Sequence, residues 1–283
     1  GLHSMLGNYE DAYARYQDAL KSIPEKPANE TAVRDRQLTL TNLAILYLQV
    51  GQNRRALDLY KEILASPFNF APSVRAQMLT NLAICYRRLG DPQKALATYK
   101  TARELLSADP DATASQYALR NIGIVQALDF QDYDQAIDTF RHALKVALKS
   151  GNKREVVLQR LFLGETLYRM SRSAEARVEF EGALQGAGDL KLSEEHWTAL
   201  YGLGRADRIE GKLDSAAKRF DAAIGVIESE RSRLGSRTLK DEFLAARRDV
   251  YDASIEMLLG NGTPTTAVAE MVLRRMEQSR ARN

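Results

Sequence analysis

Small and aromatic apolar residues recur along the chain at intervals of about 40 positions. The stretch TNLAILYLQVG at residues 41–51 returns as TNLAICYRRLG at residues 80–90. In each repeat an alanine is followed four positions later by Tyr or Phe, and three positions further by Ala or Ile. These offsets place the three side chains on one face of an α-helix. The alanine–aromatic pairs are Ala12–Tyr16, Ala56–Tyr60, Ala95–Tyr99, Ala136–Phe140, Ala176–Phe180 and Ala216–Phe220.

A second small residue precedes each stripe and predicts a partner helix, because small residues on both helices allow close antiparallel packing. It stands twelve positions before the alanine, or thirteen in the fourth repeat, at Ala44, Ala83, Gly123, Gly164 and Gly204. Five positions before the alanine we expect a helix-ending residue of positive φ. That position holds Gly7, Gly51, Gly90, Ser171 and Gly211. The fourth repeat, with ALDFQDYDQA, has one additional residue and no glycine there.

This pattern resembles the tetratricopeptide repeat, extended from 34 to about 40 residues. The resemblance implies an all-α fold, a right-handed α-solenoid of about six to seven helix pairs, since one pair cannot bury its apolar faces alone. It covers residues 1–230, and the match of LHSMLG to LYLQVG predicts an incomplete first repeat. Residues 231–283 are predicted to form a C-terminal helical pair that caps the solenoid.

The segments IESERSRL, FLAARRDVYDASIEMLL and MEQSRAR resemble the junction at which bacterial tetratricopeptide-repeat proteins continue into a CHAT domain. CHAT domains are caspase- and separase-like peptidase modules with a His–Cys dyad. In that family a Glu-x-x-Arg-Ala-Arg element precedes the peptidase, and Glu277, Arg280, Ala281 and Arg282 match it. The resemblance implies that this chain is the sensing half of a bacterial protein, with the CHAT domain after residue 283.

The composition argues against a membrane span and against a nucleic-acid binder. No run of about 18 apolar residues occurs, and no secretory signal is visible. The formal charge of +3 is small and both signs are interspersed, whereas nucleic-acid binders concentrate Lys and Arg on one stripe. We therefore expect a cytoplasmic protein.

The sequence predicts no catalytic site, no cofactor and no metal site. Cys85 is the one cysteine, so neither an internal disulfide nor a cysteine-based metal cluster can form. None of His3, His142 and His196 stands in a recognisable context as the base that would activate Cys85 as a nucleophile. We therefore expect Cys85 to be a buried core thiol and His142 to be exposed. Trp197 is expected to be a packing residue. The motifs of phosphate loops and nucleophile elbows are absent.

Asparagines at equivalent positions of successive first helices suggest a ligand-binding column: Asn42, Asn81 and Asn121. A carboxamide can bond the C=O and N–H of an extended peptide at the same time. The column resembles the asparagine ladder of kinesin light chain and of bacterial peptide-pheromone receptors, which implies peptide binding. The alternative is that each asparagine bonds a neighbouring helix. In the next two repeats Phe162 and Gly202 replace the asparagine.

Further residues are expected on the concave face lined by the first helices: Ile45, Arg88, Arg120, Ile124, Glu165, Tyr168, Arg169, Tyr201 and Arg205. The arginines favour an acidic peptide or a C-terminal carboxylate. The expected partner is therefore a protein or extended peptide segment, or the chain's own CHAT domain. Two alternatives stay open, a self-associating or autoinhibitory platform without an external peptide and a peptide-pheromone receptor-type regulator.

Overall fold

The computed structural model describes residues 2–25, 29–106, 113–235, 240, 243–245, 247–260 and 266–279, apart from the side chains of residues 2–8 and 267. These residues form helices and no strand. The helices are α1 Leu2–Ser22, α2 Glu30–Gln49, α3 Asn53–Ala65, α4 Pro72–Arg88, α5 Pro92–Glu104, α6 Thr113–Ile124, α7 Tyr133–Ser150, α8 Lys153–Arg169, α9 Ser173–Asp189, α10 Ser193–Ile209, α11 Leu213–Ser232, α12 Arg248–Leu259 and α13 Thr266–Ser279.

Two compact units divide the chain, and the first spans His3–Ser150. Its helices form the pairs α2–α3, α4–α5 and α6–α7, and the first helices of successive pairs contact each other. Gly51 and Gly90 end the first helices with φ of +78° and +83°, as predicted. Gly7 does not end a helix, so that prediction was wrong. α1 continues through it, because an isolated glycine in a helix costs only about 1 kcal/mol.

The additional residue of the fourth repeat is accommodated in a π-helical turn, Val125–Asp129, at the end of α6. A π-turn contains one residue more than the corresponding α-turn, so the helices on either side keep their register. Gln131, five positions before Ala136, has φ of +55° and occupies the position that glycine holds elsewhere. The repeat geometry is thus preserved although the sequence signature is lost.

The second unit contains residues 151–283 and the pairs α8–α9, α10–α11 and α12–α13. Ser171 ends α8 with φ of +60° and Gly211 follows α10 with φ of +73°, as predicted. Each unit is therefore built from stacked helix pairs, and the predicted all-α solenoid class is confirmed. The handedness of the solenoid and the boundary between residues 230 and 231 stay predictions.

The core consists of the predicted stripes on the second helices. From the second repeat onward the alanine and the aromatic residue are each at most 1% exposed, as at Ala56, Tyr60 and Phe180. In α1 the corresponding Ala12 and Tyr16 are half-buried. The small residues of the first helices lie against these rings.

A buried carboxylate connects three helices of the second unit. Asp207, on α10, accepts hydrogen bonds from Arg177 of α9 at 2.6 Å and from Ser215 and Arg219 of α11, each at 2.7 Å. Burial raises the pKa of Asp207, but the Ser215 hydrogen bond and the two guanidinium groups together hold it below its ordinary value. The network belongs to the packing between helices, and the carboxylate of Asp207 is bonded by all three groups.

Candidate protein-binding surface

The predicted site residues lie on the first helices of the pairs, and we call the exposed side of those helices the first-helix face. In the first unit it is formed by α2, α4 and α6, and in the second by α8 and α10. Asn42 on α2 is exposed and forms no hydrogen bond among the described residues. Its carboxamide is therefore available to a ligand.

Asn81 has two partners within the first unit. Its Nδ2 donates to the hydroxyl oxygen of Tyr60 at 3.0 Å, and its Oδ1 accepts from Gln77 Nε2 at 3.3 Å. Tyr60 is fully buried. Burial raises the pKa of the Tyr60 hydroxyl, and the hydrogen bond from Asn81 opposes that shift. Asn81 thus bonds a neighbouring helix, which is the alternative that the sequence left open.

Asn121 donates to the backbone carbonyl of Tyr117, one turn earlier in α6, at 2.8 Å. In the second unit the equivalent position is Gly202, where a Cβ would lie 2.6 Å from the ring of Phe180. The ring of Phe180 therefore leaves no room for a side chain at Gly202. At Asn81 and Gly202 the column position thus lies against the aromatic residue of the preceding repeat.

This coupling is visible in the sequence, although the column alone did not suggest it. Where the preceding aromatic is Phe140 or Phe180 the asparagine is absent. Asn81 bonds the buried hydroxyl of Tyr60, and a phenyl ring has no hydroxyl that needs a partner. Asn121 does not serve Tyr99 in this way, because it bonds Tyr117 and the Tyr99 hydroxyl has no hydrogen-bond partner within the described residues.

A depression of about 240 Å³ lies between α2 and α4 on the first-helix face. Most of its surface is apolar, from Ile45, Val74 and Met78, while Gln77 and Asn81 provide amide groups. Val74 is 42% exposed although it is a large hydrophobic residue. The depression has the size of one large side chain and is open to solvent.

Two predicted arginines of the first unit lie on the same face. Arg88 donates through Nη1 to the carbonyl oxygen of Leu48 at 2.9 Å and to Asn53 Oδ1 at 3.5 Å. Arg120 stacks on the ring of Tyr117, with the guanidinium carbon 4.6 Å from the ring centre. Both groups therefore have defined positions.

The remaining predicted residues come together in the second unit. The guanidinium of Arg205 lies between the rings of Tyr168 and Tyr201, at 4.4 and 4.6 Å from their centres. Glu165 accepts hydrogen bonds from Arg205 and, at 3.0 Å, from Arg169. The carboxylate of Glu165 is thus paired with both Arg169 and Arg205. Burial raises the pKa of Tyr201, while Arg205 opposes the shift.

The structure agrees with the expected roles of the other singled-out residues. Cys85 is fully buried, and burial raises the pKa of its thiol to about 11. His142 is exposed, and Trp197 packs in the core of the second unit. Among the described residues no three His, Cys, Asp or Glu side chains are grouped as metal ligands. Within the same residues, no helix combines the length and apolar character needed to cross a bilayer.

Family models of the tetratricopeptide repeat match residues 39–69, 74–149 and 161–230, together well over half of the chain. Over these residues the chain belongs to the tetratricopeptide-repeat family. Repeats of this family form scaffolds for protein–protein interaction, and the first-helix faces described above are built from them. No curated protein matches the sequence.

Several solved structures are similar in fold. BtubC (BKLC) from P. vanneervenii aligns with a TM-score of 0.67 at 18% identity, over 82% of this chain and 94% of that one. The STAND ATPase PH0952 of Pyrococcus horikoshii, which has a tetratricopeptide repeat sensor, gives 0.66 at 15% identity, over 88% and 36%. The apo form of RapI gives 0.64 at 13% identity, over 86% and 98%. At these identities the likeness shows the fold alone.

Proposed function

We propose that this chain is a non-catalytic scaffold whose first-helix face binds a protein or an extended peptide segment. The observation that carries the proposal is the open, apolar depression between α2 and α4, with amide groups beside it. Apolar surface that is exposed and rimmed by polar groups is typical of interaction sites. Asn42, Asn81, Asn121, Arg88 and Arg120 would provide polar contacts in the first unit. The cluster of Tyr168, Arg169, Tyr201 and Arg205 would provide a surface of its own in the second unit.

We further propose that the chain is the regulatory half of a cytoplasmic bacterial CHAT peptidase. The support is the sequence resemblance of residues 224–283 to the junction with such a domain. Of the matched junction element, Glu277 lies in α13, while Arg280, Ala281 and Arg282 lie outside the described residues. Occupancy of the scaffold would then be transmitted through α12 and α13, and the CHAT domain would be a second partner.

The binding proposal is tested by selecting dodecapeptides from a random displayed library against the purified chain. Selected peptides are then titrated by calorimetry into the wild type and into the Val74→Glu variant, which places a carboxylate in the depression. We expect binders, because the depression can bury an apolar side chain and neighbouring amides can bond a peptide backbone.

A selection without reproducible binders would contradict peptide recognition. Light scattering over a range of protein concentrations serves as the companion measurement. Growth of the particle mass with concentration, together with an absence of binders, would favour the self-associating platform instead.

A further inference from the structure

Two first helices of the first unit, α4 and α6, contain no carboxylate, whereas α2 contains Glu30 and Asp35. α4 and α6 contain four arginines, Arg75, Arg87, Arg88 and Arg120, and no aspartate or glutamate. α8 and α10 contain five carboxylates, Glu155, Glu165, Glu194, Glu195 and Asp207. The second helices α3, α5 and α7 also contain acidic residues. The absence of carboxylates is therefore a property of the α4 and α6 surface and not of the first unit as a whole.

Arg88 is bonded only to neutral acceptors on this surface. Its two acceptors, the carbonyl of Leu48 and the amide oxygen of Asn53, are neutral. Arg88 forms no ion pair within the described part of the chain. Arg87, the neighbouring residue, differs in this respect because it is paired with Asp129 at 2.5 Å. Arg88 is thus the arginine of α4 whose hydrogen-bond partners are both neutral.

An apolar anchor position lies on the same two helices. The depression is lined by Thr41 and Ile45 of α2 and by Ser73, Val74 and Met78 of α4. One turn before Thr41, Leu38 is 49% exposed. Burying a large apolar side chain in such a site removes apolar surface from water and so stabilises a complex.

We propose that the face of α2, α4 and α6 binds an acidic segment of a partner protein, with one large apolar side chain in the depression. The inference rests on the proposed function and adds the location and the charge of the partner. Complementary charge steers encounter and disfavours wrong partners. The cluster at Arg205 is not the acidic-segment site, because Glu165 already occupies Arg169 and Arg205.

The test uses two pools of fluorescein-labelled decapeptides with a central leucine and an amidated C-terminus. Around the leucine one pool contains Asp, Glu, Ser and Gly, and the other contains Lys, Arg, Ser and Gly. Anisotropy titrations with the full chain should show at least tenfold tighter binding of the acidic pool. Val74→Glu and Ser73→Glu should each weaken that binding at least fivefold, since they place a carboxylate at the depression.

Leu148→Glu is the matched control, because Leu148 is exposed on α7 and the change in net charge is the same. It should alter binding less than twofold. Ser73 lies in the first turn of α4, where a glutamate stabilises the helix. We therefore expect Ser73→Glu to fold, so that a loss of binding by this variant reports on the depression and not on unfolding.

Equal binding of the two pools would overturn the inference, as would a loss with Leu148→Glu equal to the loss with Val74→Glu. Peptides from the random selection that bind wild type and both depression variants equally would also overturn it, while the proposed function would stand. A selection without any binder would contradict both the proposed function and this inference.

Discussion

The hydroxyl group of Tyr60 lies in the packed interface between helix pairs and is bonded by the carboxamide of Asn81. A buried hydroxyl that loses its partner costs about 1–3 kcal/mol. Asn81 therefore contributes to stability whether or not a ligand binds it. At Gly202 the asparagine is absent, and the preceding ring, Phe180, has no hydroxyl group that needs a partner.

We predict that Asn81→Ala lowers the free energy of unfolding by about 1–2 kcal/mol, because it leaves the Tyr60 hydroxyl buried without a partner. In the Tyr60→Phe background the same substitution should cost clearly less. Urea denaturation of the four variants of this cycle measures the coupling.

Asn42→Ala is the control for this cycle. Asn42 is exposed and forms no hydrogen bond within the described residues, so its removal should change stability by less than about 0.5 kcal/mol. Strict additivity of Asn81→Ala and Tyr60→Phe would contradict the internal role.

At the scale of the elements, α13 combines a small buried apolar contact with polar contacts to α11. Val272 is buried, but Met271 and Leu273 are 50% and 60% exposed. Polar contacts connect α13 to α11, from Arg275 to Asp221 at 2.5 Å and from Arg231 to the carbonyl of Gln278 at 3.4 Å. A cavity of about 380 Å³ with charged walls separates the two helices near Glu228. Ion pairs at a surface are weak and are screened by salt.

We predict that raising the salt concentration from about 0.05 M to about 0.5 M speeds amide hydrogen exchange in α13 several-fold, while α12 is little affected. Asp221→Asn should have the same effect at low salt. Hydrogen-exchange mass spectrometry of the intact chain resolves the two helices.

Glu256→Gln provides the comparison, because it breaks the Arg208–Glu256 ion pair of α12. α12 also buries Val250, Tyr251 and Ala253, so this variant should leave exchange in α12 nearly unchanged. Salt-independent exchange of α13 would show that apolar packing holds it.

In the molecule as a whole, stability arises between neighbouring helix pairs, since each pair leaves apolar surface for the next one. We predict that residues 151–283 expressed alone show a helical circular-dichroism spectrum and cooperative unfolding in urea. Residues 153–189, the single pair α8–α9, should be largely unfolded, because an isolated pair cannot bury its stripes. A single pair that unfolds cooperatively would contradict the stacking argument.

The sequence alone predicted the helix pairs and the core of alanine and aromatic residues. It also predicted four helix-ending positions of positive φ, at Gly51, Gly90, Ser171 and Gly211. These features are local or periodic, and a period near 40 residues allows one packing solution to be used repeatedly. Gly7 was misjudged because positive φ depends on where the chain turns, and not on the glycine itself. The π-turn after Ile124 could not be read from the sequence, since an additional residue can be accommodated at several places in a helix and packing selects one of them.

The candidate site was predictable in position but not in its bonding. The period of the repeat places Asn81, Arg88, Tyr168 and Arg205 on first helices, because residues at equivalent repeat positions share a face. Their partners come from helices that are distant in the sequence: Tyr60 is 21 residues from Asn81, and Glu165 is 40 residues from Arg205. Hydrogen bonds and ion pairs depend on distances of a few ångströms between side chains. Only packing in three dimensions establishes those distances, and therefore which polar groups remain for a ligand.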